Sequence, residues 1–167
     1  MAGYFRNISV MRKIFILLAL AVMVIIFCFS SENSSQSSLT SRGITKYLVS
    51  IFVPDLEWHT WAEQKEIMNT ATHIVRKCAH FSIYALLGFF TGLSMGKGKF
   101  LSLNSVISLD LCFLYACSDE MHQLFISGRS GEFTDIIIDT CGSCTGIIIS
   151  VLIYRLFCRI FKKELSQ

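Results

Sequence analysis

The apolar residues of this chain are gathered into four long runs, and that blocking limits its fold more than any motif does. Ile14 to Phe29 is an unbroken run of 16 residues; Cys78 to Met95 and Phe100 to Cys117 have 18 each, and Ile136 to Tyr154 has 19. At about 1.5 Å rise per residue these reach roughly 24–29 Å, close to the ~30 Å hydrocarbon core of a bilayer. Soluble domains carry about 25% charged residues; here 16% are charged and 53% hydrophobic. The expected fold class is an all-α integral membrane protein with four transmembrane helices, one domain over residues 1–167.

Lys and Arg density sets the expected orientation. Segments 1–13, 96–99 and 155–167 hold nine basic residues in thirty positions, among them Arg12, Lys13, Lys97, Lys99, Arg155 and Arg159. Segments 30–77 and 118–135 hold six in sixty-six. Both ends and the Gly96-Lys97-Gly98-Lys99 turn are thus expected at the cytoplasm (N-in, C-in), with the polar clusters outside. Arg6, Arg12 and Lys13 before the first run also fit a cleaved signal peptide. The run is long for that purpose and no Ala-x-Ala site follows, so a signal anchor is expected.

The connection 30–77 divides in two. Ser30 to Ser41 is rich in Ser and Asn and reads as a flexible tether. From Ile44, the residues Tyr47, Leu48, Ile51 and Phe52 continue a helical stripe that Pro54 ends. Asp55 is placed to cap a following helix that carries Trp58 and Trp61, two residues suited to the headgroup belt. Residues 44–75 are therefore expected as two amphipathic helices on or near the outer surface.

The seven cysteines lie mostly in or beside apolar runs, where thiols behave as small hydrophobes. Cys141-x-x-Cys144 has redox or zinc spacing but no second pair, and packing is its expected role. No arginine-rich arm or aromatic-basic alternation points to a nucleic-acid partner.

Between Asp119 and Asp139 the chain carries five carboxylates, His122 and Arg129 between two apolar segments. Polar groups at a bilayer edge are costly, so they mark a candidate site. His73, Arg76, Lys77 and His80 fall at i, i+3, i+4 and i+7, on one helix face. Asp119 meets His122 at i, i+3 and Gln123 at i, i+4 if the third span continues as a helix. A carboxylate beside an imidazole fixes its tautomer or shares a metal with it, and His80 or His73 is a candidate to complete a set with Asp119 and His122. The plainer alternative is that these groups only cap and solvate a helix end.

Arg129 stands between Gly128 and Gly131, a turn open to an anion; the alternative is a salt bridge to Glu120, Glu132 or Asp135. Asp135, Asp139, Gly142 and Gly146 share one stripe of the fourth span. An ionised Asp139 needs a partner, expected among Arg129, Arg76 and Lys77. Gly142 and Gly146 have the spacing that lets membrane helices approach closely, within one chain or between two, so an oligomer through them stays open. Asp110 is out of phase with Asp119 and is expected to be protonated or to meet a polar group such as Ser94.

These blocks together resemble the VanZ-like family of bacterial membrane proteins. The matching pieces are Arg76-Lys77-Cys78-Ala79-His80-Phe81 with Tyr84, Leu87 and Gly88; Asp119-Glu120-x-His122-Gln123-x-Phe125; and Gly128-Arg129-Ser130-Gly131-Glu132 with Asp135, Asp139 and Gly142. Phe27-x-Phe29-Ser30-Ser31 is similar to the family's opening segment. Two positions depart: Ile83 where many relatives carry an acid, and Ser127 where a proline often stands. The resemblance implies a multi-pass protein of the bacterial cytoplasmic membrane with an accessory role against teicoplanin, a lipid-tailed glycopeptide. It points to no particular reaction, and it leaves any cofactor open.

The leading expectation is a pocket built from Arg76, Lys77, His80, Tyr84, Asp119, Glu120, His122, Gln123, Arg129, Asp135 and Asp139 that binds an anionic or lipid-linked envelope molecule. A membrane hydrolase or transferase is the second reading, with His122 as base or nucleophile, Asp119 orienting it, and Glu120 and His80 as further candidates. A structural ion-pair network is the third.

Overall fold

The computed structural model describes residues 2–95, 102–129 and 131–164. Five α-helices form it: α1 (Ala2–Ser30), α2 (Ser34–Phe52), α3 (Trp61–Met95), α4 (Leu103–Gln123) and α5 (Phe133–Glu164). A short 3-10 turn, Leu56–Trp58, joins α2 to α3. Three of the described helices contain stretches long and apolar enough to cross a membrane: Val10–Ser30, Trp61–Met95 and Phe133–Ile160. The Gly96–Lys99 turn expected on the cytoplasmic side, and Ser130 of the glycine-flanked arginine turn, lie outside the described residues.

Polarity is distributed inside out relative to a soluble bundle. Ser94, Ser108, Ser143 and Ser150 are buried, whereas Leu17, Val24, Leu114, Leu152 and Leu156 are exposed. Small residues inside let helix backbones approach, and the large apolar ones face lipid. This is a membrane protein.

Hydrogen bonds fix the helix directions. Lys77 of α3 meets Asp135 of α5, and ten residues or less further along each helix Ser143 Oγ donates to the Tyr84 carbonyl (3.3 Å), so α3 and α5 run parallel. Tyr115 Oη donates to the Met23 carbonyl (2.6 Å) and Gln123 Nε2 to Ser30 Oγ (3.2 Å), so α4 runs parallel to α1. Ser108 Oγ reaches the Thr91 carbonyl (3.4 Å) and Asn104 Nδ2 the Met95 carbonyl (2.8 Å), so α4 runs against α3. A small core of Ala19, Val22, Ile26, Tyr84, Leu87, Cys112 and Ala116 fills the space between α1, α3 and α4.

The contact between α3 and α5 depends on glycine. A Cβ on Gly142 would strike the Phe81 carbonyl, one on Gly146 the Ala85 carbonyl, and one on Gly88 the Ser143 backbone. The Gly142/Gly146 stripe is thus used inside the chain. Both glycines are buried against α3, which removes the reading of that stripe as a contact between copies.

Three sequence expectations are corrected. The Ser-rich segment is no tether from Ser34 onward, because it is the first half of α2. Asn33 caps it, accepting from the Gln36 backbone N–H (2.9 Å) while Gln36 Oε1 accepts from the Asn33 N–H (3.2 Å). Ser38, Ser41 and Thr45 then donate to carbonyls four residues back, so their hydroxyls are satisfied within the helix. Thr45 and Val49 are buried, on a helix that packs beside α3. Second, the helix carrying Trp61 does not end before the second span. The two are one continuous α3 of 35 residues, about 52 Å long against a ~30 Å hydrocarbon core. Third, its cap is Thr60, not Asp55. Thr60 N–H and hydroxyl both donate to Glu63 Oε2 (2.8 Å each), whereas Asp55 makes no capping bond. Trp58 and Trp61 are largely exposed beside it.

Gly146→Ala should destabilise the folded protein by about 1–3 kcal/mol, because the added methyl meets backbone that cannot turn aside. Gly43→Ala in α2, where no atom lies within 4 Å of the new methyl, should instead be neutral or stabilising by about 1 kcal/mol. Thermal unfolding of both variants in detergent checks the contrast.

Candidate functional site

The C-terminal ends of α1 and α4, the start of α5 and the middle of α3 meet at one end of the bundle. There the sequence-predicted polar residues divide into an interior cluster and a pocket, with His80 in both.

The interior cluster is His80, Asp119, Glu120 and Asp139, whose nearest ligand-type atoms all lie within 4.8 Å of one another. Asp139 is fully buried; Asp119 and Glu120 are nearly so. His80 Nδ1 lies 3.6 Å from Asp139 Oδ1. Neither Asp139 oxygen accepts a hydrogen bond. Gln123 Nε2 ties the other two acids together, donating to Glu120 Oε1 (3.1 Å) and lying 3.4 Å from Asp119 Oδ2. Glu120 Oε2 also accepts the Glu132 backbone N–H (3.0 Å). Glu120 lies beyond the apolar part of α4, and burial pushes its carboxyl up to about 7 against the opposing pull of that N–H. The buried Tyr84 hydroxyl faces Asp119.

Lys77 points from α3 to α5, where it pairs with Asp135 and lies 3.3 Å from Glu132 Oε2. The hydrogen bond from Lys77 holds the Glu132 carboxyl below its ordinary range. Asp139 therefore has His80 as its partner, not the expected Arg129, Arg76 or Lys77: Lys77 is taken one turn earlier on α5, and the arginines face elsewhere.

The pocket, about 510 Å³, lies between α1, α2, α3 and the turn after α4. Arg76, His80, Arg129 and Glu32 line it together with Ile26, Phe29, Ile44, Ile83 and Leu86. Arg129 forms none of the salt bridges weighed for it. Its Nη2 donates to the Phe29 carbonyl (3.0 Å), one of the terminal carbonyls of α1, where a cation is favoured. Its Nε is buried without a hydrogen-bond partner. Burial, then the neighbouring Arg76, lowers the Arg129 pKa. Gly128 before it has φ +76°, a left-handed turn that favours glycine.

His122 is not in the cluster. Its Nε2 lies 3.2 Å from Ser31 Oγ and its ring stacks on Phe27 at 4.9 Å, which directs it toward α1. The expected pairing with Asp119 is replaced by Asp119 with Gln123, one residue further along the same helix. His73 keeps to the α2 side, 3.5 Å from Arg76 Nη2. Asp110 is exposed on α4, and Ser94 donates to the Thr91 carbonyl instead of meeting it.

A model of the VanZ/LLP1 family matches residues 15–155. The chain belongs to that family. The matched stretch takes in every residue of the VanZ/LLP1 chain's interior cluster and pocket. No curated protein and no solved structure matches it.

Sequence reasoning missed the contribution of α1 and α2 to this VanZ/LLP1 site: Ser30, Ser31 and Glu32 and the apolar residues Ile26 and Ile44. The Phe27-x-Phe29-Ser30-Ser31 block was the available signal, but spacing along the chain gave no reason to bring it to Arg129, a hundred positions away.

Lys77→Gln should lower stability by about 1–3 kcal/mol, since it leaves the carboxylate of Asp135 without its charged donor between α3 and α5. Lys65→Gln, whose ammonium lies over the exposed Trp61 ring, should change it little. Melting temperatures of the two variants in the same detergent check this.

Proposed function

We propose that the protein is a multi-pass protein of the bacterial cytoplasmic membrane that takes the anionic head of a lipid or lipid-linked envelope molecule into the pocket beside His80. The observation that carries this reading is the composition of one wall. Arg76 and Arg129 converge where Ile26, Phe29, Ile44, Ile83 and Leu86 supply an apolar face. Guanidinium groups suit phosphate or carboxylate oxygens, and the aliphatic wall suits an acyl or prenyl chain. The unpartnered Nε of Arg129 gives such an anion a donor to use.

Four spans with both ends at the cytoplasm fit this reading. α4 is the one of these four helices without a stretch apolar enough to stand as a span by itself, but it runs beside α1 and against α3. Alternating directions of α1, α3, α4 and α5 are what four successive crossings produce. The pocket then opens on the outer side, where the Lys and Arg density of the chain is low.

Family membership supports, as an expectation, a role in tolerance to lipid-tailed glycopeptides. The hydrolase reading through His122 has less support, since that imidazole stacks on Phe27 away from the carboxylates. If the site has an acid–base pair, it is His80 with Asp139.

Two measurements test the proposal. Purified protein should be stabilised more by vesicle lipids containing phosphatidylglycerol than by phosphatidylcholine alone, and Arg129→Gln with Arg76→Gln should remove that difference; an unchanged preference would sink the headgroup pocket. Expression in a sensitive Gram-positive host should raise the inhibitory concentration of teicoplanin more than that of vancomycin. Equal susceptibility to both drugs with and without the protein would remove the resistance role.

A further inference from the structure

The carboxylates behind the pocket pose a charge problem that the chain's own cations do not solve. Asp139 is fully buried with neither oxygen hydrogen-bonded, and Asp119 and Glu120 stand against it with 4% exposure each. Lys77 is committed to Asp135 and Glu132, and Arg129 to the Phe29 carbonyl. Among the described residues His80 is the basic group that comes within 4 Å of these acids, at 3.6 Å from Asp139, while Arg129 acts on Asp119 and Glu120 only at longer range. Three buried carboxylates with one imidazole cannot all ionise in a low-dielectric interior unless a positive charge joins them.

We propose that His80, Asp119, Glu120 and Asp139 bind a divalent transition-metal cation inside the bundle. The four candidate donors lie within 4.8 Å of one another. An ion held tetrahedrally at about 2.0–2.2 Å from each donor requires them roughly 3.3–3.6 Å apart, so the side chains close by about 1 Å on binding. One imidazole with three carboxylates favours ions such as Zn²⁺ or Mn²⁺ over Mg²⁺ and Ca²⁺, which prefer oxygen alone. The supporting shell is present: Gln123 orients Asp119 and Glu120, and the Glu132 N–H fixes the second Glu120 oxygen. Such outer bonds orient ligating carboxylates at metal sites.

His80 also forms part of the pocket wall, so the ion lies one side chain from the space assigned to the anionic head. The two assignments remain separable. The pocket's arginines are not ligands of the ion, and Asp139 and Glu120 do not line the pocket.

The test uses the full chain in detergent, stripped with EDTA and dialysed against micromolar Zn²⁺ or Mn²⁺. Elemental analysis should find about one ion per chain, and the ion should raise the melting temperature. Asp139→Asn and Glu120→Gln should each weaken retention at least ~10-fold, while Asp110→Asn, on the exposed side of α4, should retain the ion as the unaltered protein does. Failure of the unaltered chain to hold either ion above a detergent blank would overturn the site and leave protons as the charge that neutralises the cluster. Retention unchanged in both variants would overturn the ligand assignment. Should either variant fail to fold, ion content and EDTA sensitivity of the unaltered chain decide the matter.

Discussion

Everything at this end of the bundle depends on how closely α3 and α5 approach. Gly142 and Gly146 bring the α5 backbone against the carbonyls of Phe81 and Ala85, and Gly88 returns the contact against Ser143. In lipid there is no hydrophobic drive to hold helices together, so dispersion at this contact and the hydrogen bonds it permits must do so. Parallel packing at this distance sets Lys77 beside Asp135 and, one turn on, His80 beside Asp139. A larger residue at either glycine would separate both pairs at once.

That separation of pairs sorts the acidic residues by partner. Asp135 and Glu132 have a lysine, and their charge is met. Asp119 and Glu120 have an amide and a backbone N–H, which orient them but bring no charge. Asp139 has an imidazole and no hydrogen bond. Polar groups therefore become less compensated toward the interior, the reverse of what a purely structural ion-pair network would need. The arginines, meanwhile, make no close ion pair with these acids and line a separate space that also has an aliphatic wall. One region thus offers an uncompensated negative interior next to a positive, lipid-compatible pocket.

The helices were largely legible from the chain because long apolar runs admit few alternatives in a bilayer. Their extents were less so. The serines of 34–41 look unsuited to ordered structure until their hydroxyls are returned to the helix carbonyls and Asn33 and Gln36 close the first turn. The polar stretch before Cys78 continues α3 because Thr60 and Glu63 start a helix that nothing interrupts before Met95. At the site, i, i+3 and i, i+4 spacing placed Asp119 within reach of both His122 and Gln123. Only the position of α1 decided between them, since Phe27 and Ser31 draw the imidazole away.

By itself the sequence determined that the chain is helical and membrane-embedded, to which family its ordered polar blocks belong, and that glycines spaced by four on α5 would carry a tight contact. Those properties follow from apolar length and helical period, which are local. Tertiary structure alone decided which charge meets which. It gave Lys77 to Asp135, Arg129 to a helix-end carbonyl and His80 to Asp139, because those distances span fifty to a hundred positions and are fixed by packing.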